Sequence, residues 1–81
     1  MESKDQVQRW VVETLKKEFQ LRDEDLHPGA HLIDDLDLDS IDAVDLAVNV
    51  EKELGLTLSE GDLKSIQTVQ DVVDLIHGRL V

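Results

Sequence analysis

The sequence has no cysteine and no tyrosine, and it holds a single proline, a single tryptophan and a single phenylalanine in 81 residues. Without cysteine there is no disulfide framework, no thiolate metal site and no cysteine nucleophile. With Trp10 and Phe19 as the only aromatics, a core has to be built from Leu, Val and Ile. That composition suits a helical bundle better than a sandwich rich in aromatic and β-branched strands. Basic residues are scarce too: eight Lys and Arg stand against nineteen Asp and Glu, a formal net charge of −11. Nucleic acid and anionic membrane would repel such a surface, and a basic protein surface would attract it. No apolar run reaches membrane-spanning length, and the start, Met1-Glu2-Ser3-Lys4-Asp5, has no cationic flank leading into an apolar segment. The expectation is a cytoplasmic protein, monomeric and not membrane-spanning.

What is present is a hydrophobic fraction of 41% at regular spacings, enough to fold despite the charge. At this length a single domain over residues 1–81 with one small core is expected, without a deep active-site cleft. Val7, Val11, Leu15 and Phe19 recur every four residues with Val12 beside them. They predict an amphipathic helix from Asp5 to Gln20, opened by Ser3 and Gln6 at capping-box spacing. Trp10 falls off that face and reads as a cover for the bundle edge.

From Leu21 to Asp39 the helical period fails, and Pro28-Gly29 forbids a helix. Leu26, Leu32, Ile33, Leu36 and Leu38 are expected to anchor this long loop on the bundle. His27 and His31 have the spacing of a helical metal pair, but the residues between them destroy that helix, so they read as solvated loop histidines. A second helix is predicted from Asp39 or Ser40 to about Leu54, stopped by Gly55. A short helical turn follows over Ser59 to Ser65, with Ser59 and Asp62 at capping spacing. Thr68 and Asp71 repeat that spacing before a last helix with the stripe Val69, Val72, Val73, Ile76 and Leu80. His77, beside that stripe, reads as exposed. The fold class is all-α: a small four-helix bundle with a long loop between the first and second helices and a short third helix.

The stretch from Asp34 to Asp42 carries the chemistry. Its alternating carboxylates suggest an EF-hand loop, but with Asp35 as first ligand Ser40 stands where the turn glycine belongs and Leu46 where the closing Glu belongs. No metal site is assigned. As a catalytic nucleophile Ser40 has no Gly-x-Ser-x-Gly elbow, no histidine near it in sequence, and acidic surroundings that disfavour an oxyanion. Two roles stay open for Ser40: a plain helix N-cap, or an attachment point whose anion free backbone N–H groups and the helix dipole would favour.

Ala43, Leu46, Ala47, Val50 and Leu54 gather on one side of the second helix, its natural core face. Ile41, Val44 and Val48 gather on the opposite side, bordered by Asp42, Asp45 and Glu51. In so small a bundle an apolar stripe rimmed by acids has the composition of a partner-binding face.

Asp39-Ser40-Ile41-Asp42 resembles the Asp-Ser-Leu signature that opens the second helix of acyl carrier proteins. The resemblance extends to Pro28-Gly29-Ala30-His31-Leu32-Ile33-Asp34-Asp35-Leu36 before the serine, to the acidic ending Val50-Glu51-Lys52-Glu53-Leu54, and to Ile66-Gln67-Thr68-Val69-Gln70-Asp71 before the last helix. It implies that Ser40, next to Asp39, carries a covalent 4′-phosphopantetheine arm whose thiol holds acyl cargo. It implies as partners a phosphopantetheinyl transferase and acyl-transferring and chain-modifying enzymes with basic docking surfaces, the protein itself being no enzyme. Leu46, Val50, Leu54, Leu63 and Ile66 are by resemblance candidates for a cargo pocket, and serve equally as core. Asp37 stands where the family commonly has glycine, and Ile41 replaces the commoner leucine. The competing class is an acidic helical interaction module without prosthetic group, in which Ser40 only caps its helix.

Overall fold

A computed structural model describes residues 3–80. Four helices account for most of them: α1 (Lys4–Phe19), α2 (Ser40–Leu54), α3 (Glu60–Ser65) and α4 (Val69–Leu80), with one 3-10 turn at Asp23–Asp25. The architecture is all-α, with a long segment between α1 and α2 and a short α3, as the periodicities predicted.

Helix α1 starts where a free backbone N–H finds a side chain. The Ser3 hydroxyl accepts from Gln6 N–H at 3.2 Å and the Gln6 amide oxygen accepts from Ser3 N–H at 3.3 Å. It ends at Gln20, whose left-handed backbone, φ 55°, turns the chain out of the helix. Val7, Val11 and Leu15 are completely buried and meet Val69, Val72, Val73 and Ile76 of α4. The contact between α1 and α4 is the most extensive between any two helices of the described residues. The Lys4 ammonium pairs with Asp74 across it and, with the Gln70 amide, holds the Asp74 carboxyl below the usual carboxylate range. Trp10 is half-buried against the edge of this core. His77 is half-buried where exposure was expected, because it follows Val73 by one helical turn and so shares part of the inward face.

The long loop lies on the bundle, strapped to the start of α4. Leu32 N–H donates to the Gln67 carbonyl at 2.8 Å, Val69 N–H to Ala30 at 3.1 Å and Gln70 N–H to Pro28 at 3.0 Å. Leu26, Leu32 and Leu36 are buried and Leu38 is half-buried, joined by Ala30, which is fully buried. Ile33 is the exception among the expected anchors and is exposed. Residues 31–38 wind into a tight turn in which Asp35 and Leu36 N–H both donate to the His31 carbonyl, turning Leu32 and Leu36 inward and Ile33 outward.

His31 also departs from expectation. It is half-buried, and its Nδ1 accepts from Ile33 N–H at 3.3 Å and Asp34 N–H at 3.2 Å while its backbone N–H donates to the Asp35 carboxylate at 2.7 Å. It is a structural turn residue, whereas His27 is exposed.

Candidate attachment and docking site

The turn over residues 31–38 delivers the chain to α2 through Asp37, which adopts the left-handed conformation at φ 58°. Aspartate is one of the few side chains that tolerate that region, and glycine meets it without strain. Asp37 thus stands in the backbone geometry that a glycine would favour.

Asp39 caps α2. Its Oδ1 accepts from Ile41 N–H and Asp42 N–H, both at 3.0 Å, and Asp42 Oδ2 accepts from Asp39 N–H at 3.1 Å. Ser40 is the first residue of the helix, exposed, and its hydroxyl has no hydrogen-bond partner among the described residues. Two expectations change with this. A reading in which Ser40 is only the cap does not hold, since Asp39 takes that role. Nor are the amides of Ile41 and Asp42 free to receive an anion, since the Asp39 carboxylate already occupies them.

The other serines contrast with Ser40. Ser3 and Ser59 hydroxyls accept from backbone amides in capping boxes, and the Ser65 hydroxyl donates to the Asp62 carbonyl at 2.7 Å. Among the described residues Ser40 is the one serine with an exposed and unengaged hydroxyl.

Ser40 also borders an open groove of about 780 Å³ between α2, α3 and the loop. Of the five cargo-pocket candidates, Leu46, Leu63 and Ile66 line it. Val50 and Leu54 do not: Val50 is completely buried in the core and Leu54 packs against that core farther along α2. Phe19, Leu32, Leu38 and Ala43 complete much of the apolar wall, and sequence reasoning missed them. Each has the pattern of an ordinary core or loop residue, and periodicity does not tell which part of a core opens to a cavity.

The outer face of α2 carries Ile41, Val44 and Val48, which are 76%, 54% and 47% exposed. Asp45 and Glu51 beside them are exposed, and Asp42 is half-buried because the capping box holds it against the helix start. The third wall is lightly built, since α3 has no buried residue. Ser59 and Asp62 box its start, and Arg79 of α4 donates to Asp62 at 2.6 Å. The Ser59 amide first, then the Ser59 hydroxyl and Arg79, hold the Asp62 carboxyl below the usual carboxylate range.

A family model described as the phosphopantetheine attachment site matches residues 9–76. An acyl carrier protein of Myxococcus xanthus is 35% identical over 78 residues, covering 96% of this chain and 99% of that one. One from Thermotoga maritima is 34% identical over 80 residues, 99% of each chain. One from Coprothermobacter proteolyticus is 42% identical over 66 residues, 82% of this chain and 80% of its own. The chain belongs to the acyl carrier protein family, and its cofactor is covalently bound 4′-phosphopantetheine. The site fits such a group, with a free hydroxyl at the mouth of an apolar groove. Among the described residues no helix is long and apolar enough to cross a membrane.

Proposed function

We propose that this chain is a carrier and not an enzyme, with its arm attached at Ser40. When bound, 4′-phosphopantetheine supplies a terminal thiol that holds acyl groups as thioesters. The observation that carries this reading is the Ser40 hydroxyl, the one serine hydroxyl left unengaged among the described residues, exposed at a helix start whose capping is done by its neighbour. Asp39 fixes the first turn of α2 so that Ser40 projects from a rigid element. Leu46, Leu63 and Ile66 offer an apolar wall to cargo, while Val50 and Leu54 serve as core.

Ile41, Val44 and Val48 form the centre of a docking face, with Asp42, Asp45 and Glu51 drawing in basic surfaces. The partners are a phosphopantetheinyl transferase and acyl-transferring or chain-modifying enzymes of fatty-acid or polyketide type. The chain acts as a single cytoplasmic domain and as a monomer, since copies with a net charge of −11 repel one another. Incubation with coenzyme A and a phosphopantetheinyl transferase adds one arm by intact mass to the parent and none to Ser40→Ala; modification of that variant overturns the assignment.

A further inference from the structure

Four large apolar side chains are exposed among the described residues, and three of them lie on α2. The fourth is Ile33, 63% exposed in the loop. Its position is held by the backbone: Ile33 N–H donates to His31 Nδ1 at 3.3 Å, and its carbonyl accepts from Asp37 N–H at 3.1 Å. With both main-chain groups engaged, the residue does not roll inward without undoing the turn that delivers the chain to Ser40. Ile33, Val44 and Ser40 line the same groove, Ile33 from the loop and the other two from α2.

The geometry matters for docking. Ile41, Val44 and Val48 follow one stripe along a helix, and a partner resting on a stripe can still rock about the helix axis. An apolar point off that axis removes the rocking. Asp34 and Asp35 directly follow Ile33, and Asp42 and Asp45 lie on either side of Val44, all but the half-buried Asp42 being exposed. A second copy of this chain, equally acidic, is a poor occupant. A surface with Lys or Arg around an apolar patch is a good one.

We infer that Ile33 is an orienting contact for the phosphopantetheinyl transferase that modifies Ser40, received by an apolar patch on that enzyme bordered by basic side chains. The inference rests on the attachment reading above and adds the loop to the docking face. Truncating an interface side chain that carries binding energy costs roughly fivefold or more in affinity.

The test compares parent, Ile33→Ala and Ile33→Asn, each titrated with the transferase for its dissociation constant, followed by intact mass during modification with coenzyme A, and unfolded in denaturant. A rise of about fivefold or more in both the dissociation constant and KM, with an unchanged unfolding midpoint, is expected. If the parent itself takes no arm at Ser40, the attachment reading fails and this inference goes with it. If the parent is modified but both variants bind and react as it does, Ile33 is no contact and the attachment reading stands. A midpoint lowered as far as in a core variant, or a self-associating parent made monomeric by Ile33→Asn, likewise overturns the inference.

Discussion

The half of the molecule built from α1 and α4 differs from the half built from α2, α3 and the turn before Ser40. In the first, seven apolar side chains, Val7, Val11, Leu15, Val69, Val72, Val73 and Ile76, are buried almost completely, and Lys4–Asp74 closes the pair. In the second, α2 buries only Leu46 and Val50, α3 buries nothing, and the groove lies between them. Burial and cooperativity go together, so the first half should open only with global unfolding while the second has the light local packing of a segment that moves. A carrier needs that asymmetry. In the proposed role one side would supply stability, and the other would admit cargo and partners without unfolding the whole.

The largest effects test that contrast directly. Leu15→Ala and Ile76→Ala each remove a fully buried side chain and should cost on the order of 2–5 kcal/mol in denaturant unfolding. Leu46→Ala should fall in the same range, as Leu46 is one of the two buried residues of α2. Val44→Ala, from the exposed stripe, should stay within roughly 0.5 kcal/mol while slowing modification of Ser40. If Val44→Ala unfolds the domain as readily as Leu46→Ala, α2 is buried on both sides and the contrast fails.

Next in size is the attachment of α3. Because the Asp62 carboxyl is held below its ordinary value, the stability it contributes is present above the unfolded carboxylate pKa, about 3.9. It is lost as pH falls through the lower folded value. Asp74 obeys the same sign. Amide protection in α3, relative to the intrinsic exchange rate at each pH, should fall first on acidification, because no buried side chain remains to hold it once Asp62 releases Arg79 and Ser59. Asp62→Asn at neutral pH should loosen α3 and leave α4 protected; equal loosening of both helices would remove the distinction between the halves.

A smaller effect on the fold, with a larger one on kinetics, is expected at the acidic rim. Asp45→Lys and Glu51→Lys replace exposed charges, so they should slow association with a basic partner, most at low salt, with unfolding unaffected. Association rates indifferent to both salt and reversal would remove electrostatics from the docking face.

Much of the fold was legible because helix starts are written locally. Ser3 with Gln6, Ser59 with Asp62, and Thr68 with Asp71 make the bonds their spacing predicts. At α2 the same rule was ambiguous, since aspartate and serine both cap well, and only three-dimensional geometry shows Asp39 doing so. The loop was harder. Ile33 and Leu32 are adjacent apolar residues in a segment without a period, and which of them faces the core depends on a turn wound around the His31 carbonyl and ring, a pairing no helical or strand spacing encodes. The groove was legible only in part, for the same reason in reverse. Val50 and Leu54 share the core face of α2 with Leu46, but of the three only Leu46 lines the groove, and a helical period does not tell which part of a face meets open space.

The smallest expected effects lie at the two left-handed residues other than glycine among those described, one in each half: Gln20 closes α1, and Asp37 leads into α2. A side chain in that region costs about 1–2 kcal/mol, and glycine escapes the cost but loses about 0.5–1 kcal/mol through the greater freedom of its unfolded chain. The net gain from Gln20→Gly should therefore be of the order of 0.5–1 kcal/mol. Asp37→Gly should gain less, because aspartate already tolerates this backbone, and Asp37→Ala should destabilise, since alanine has neither the tolerance nor the freedom. Paired denaturant curves for the three variants decide the matter. A gain for Asp37→Gly as large as that for Gln20→Gly would mean that the turn before Ser40 is strained beyond what its dihedral angle alone implies; a loss would mean that the Asp37 side chain stabilises the turn in solution.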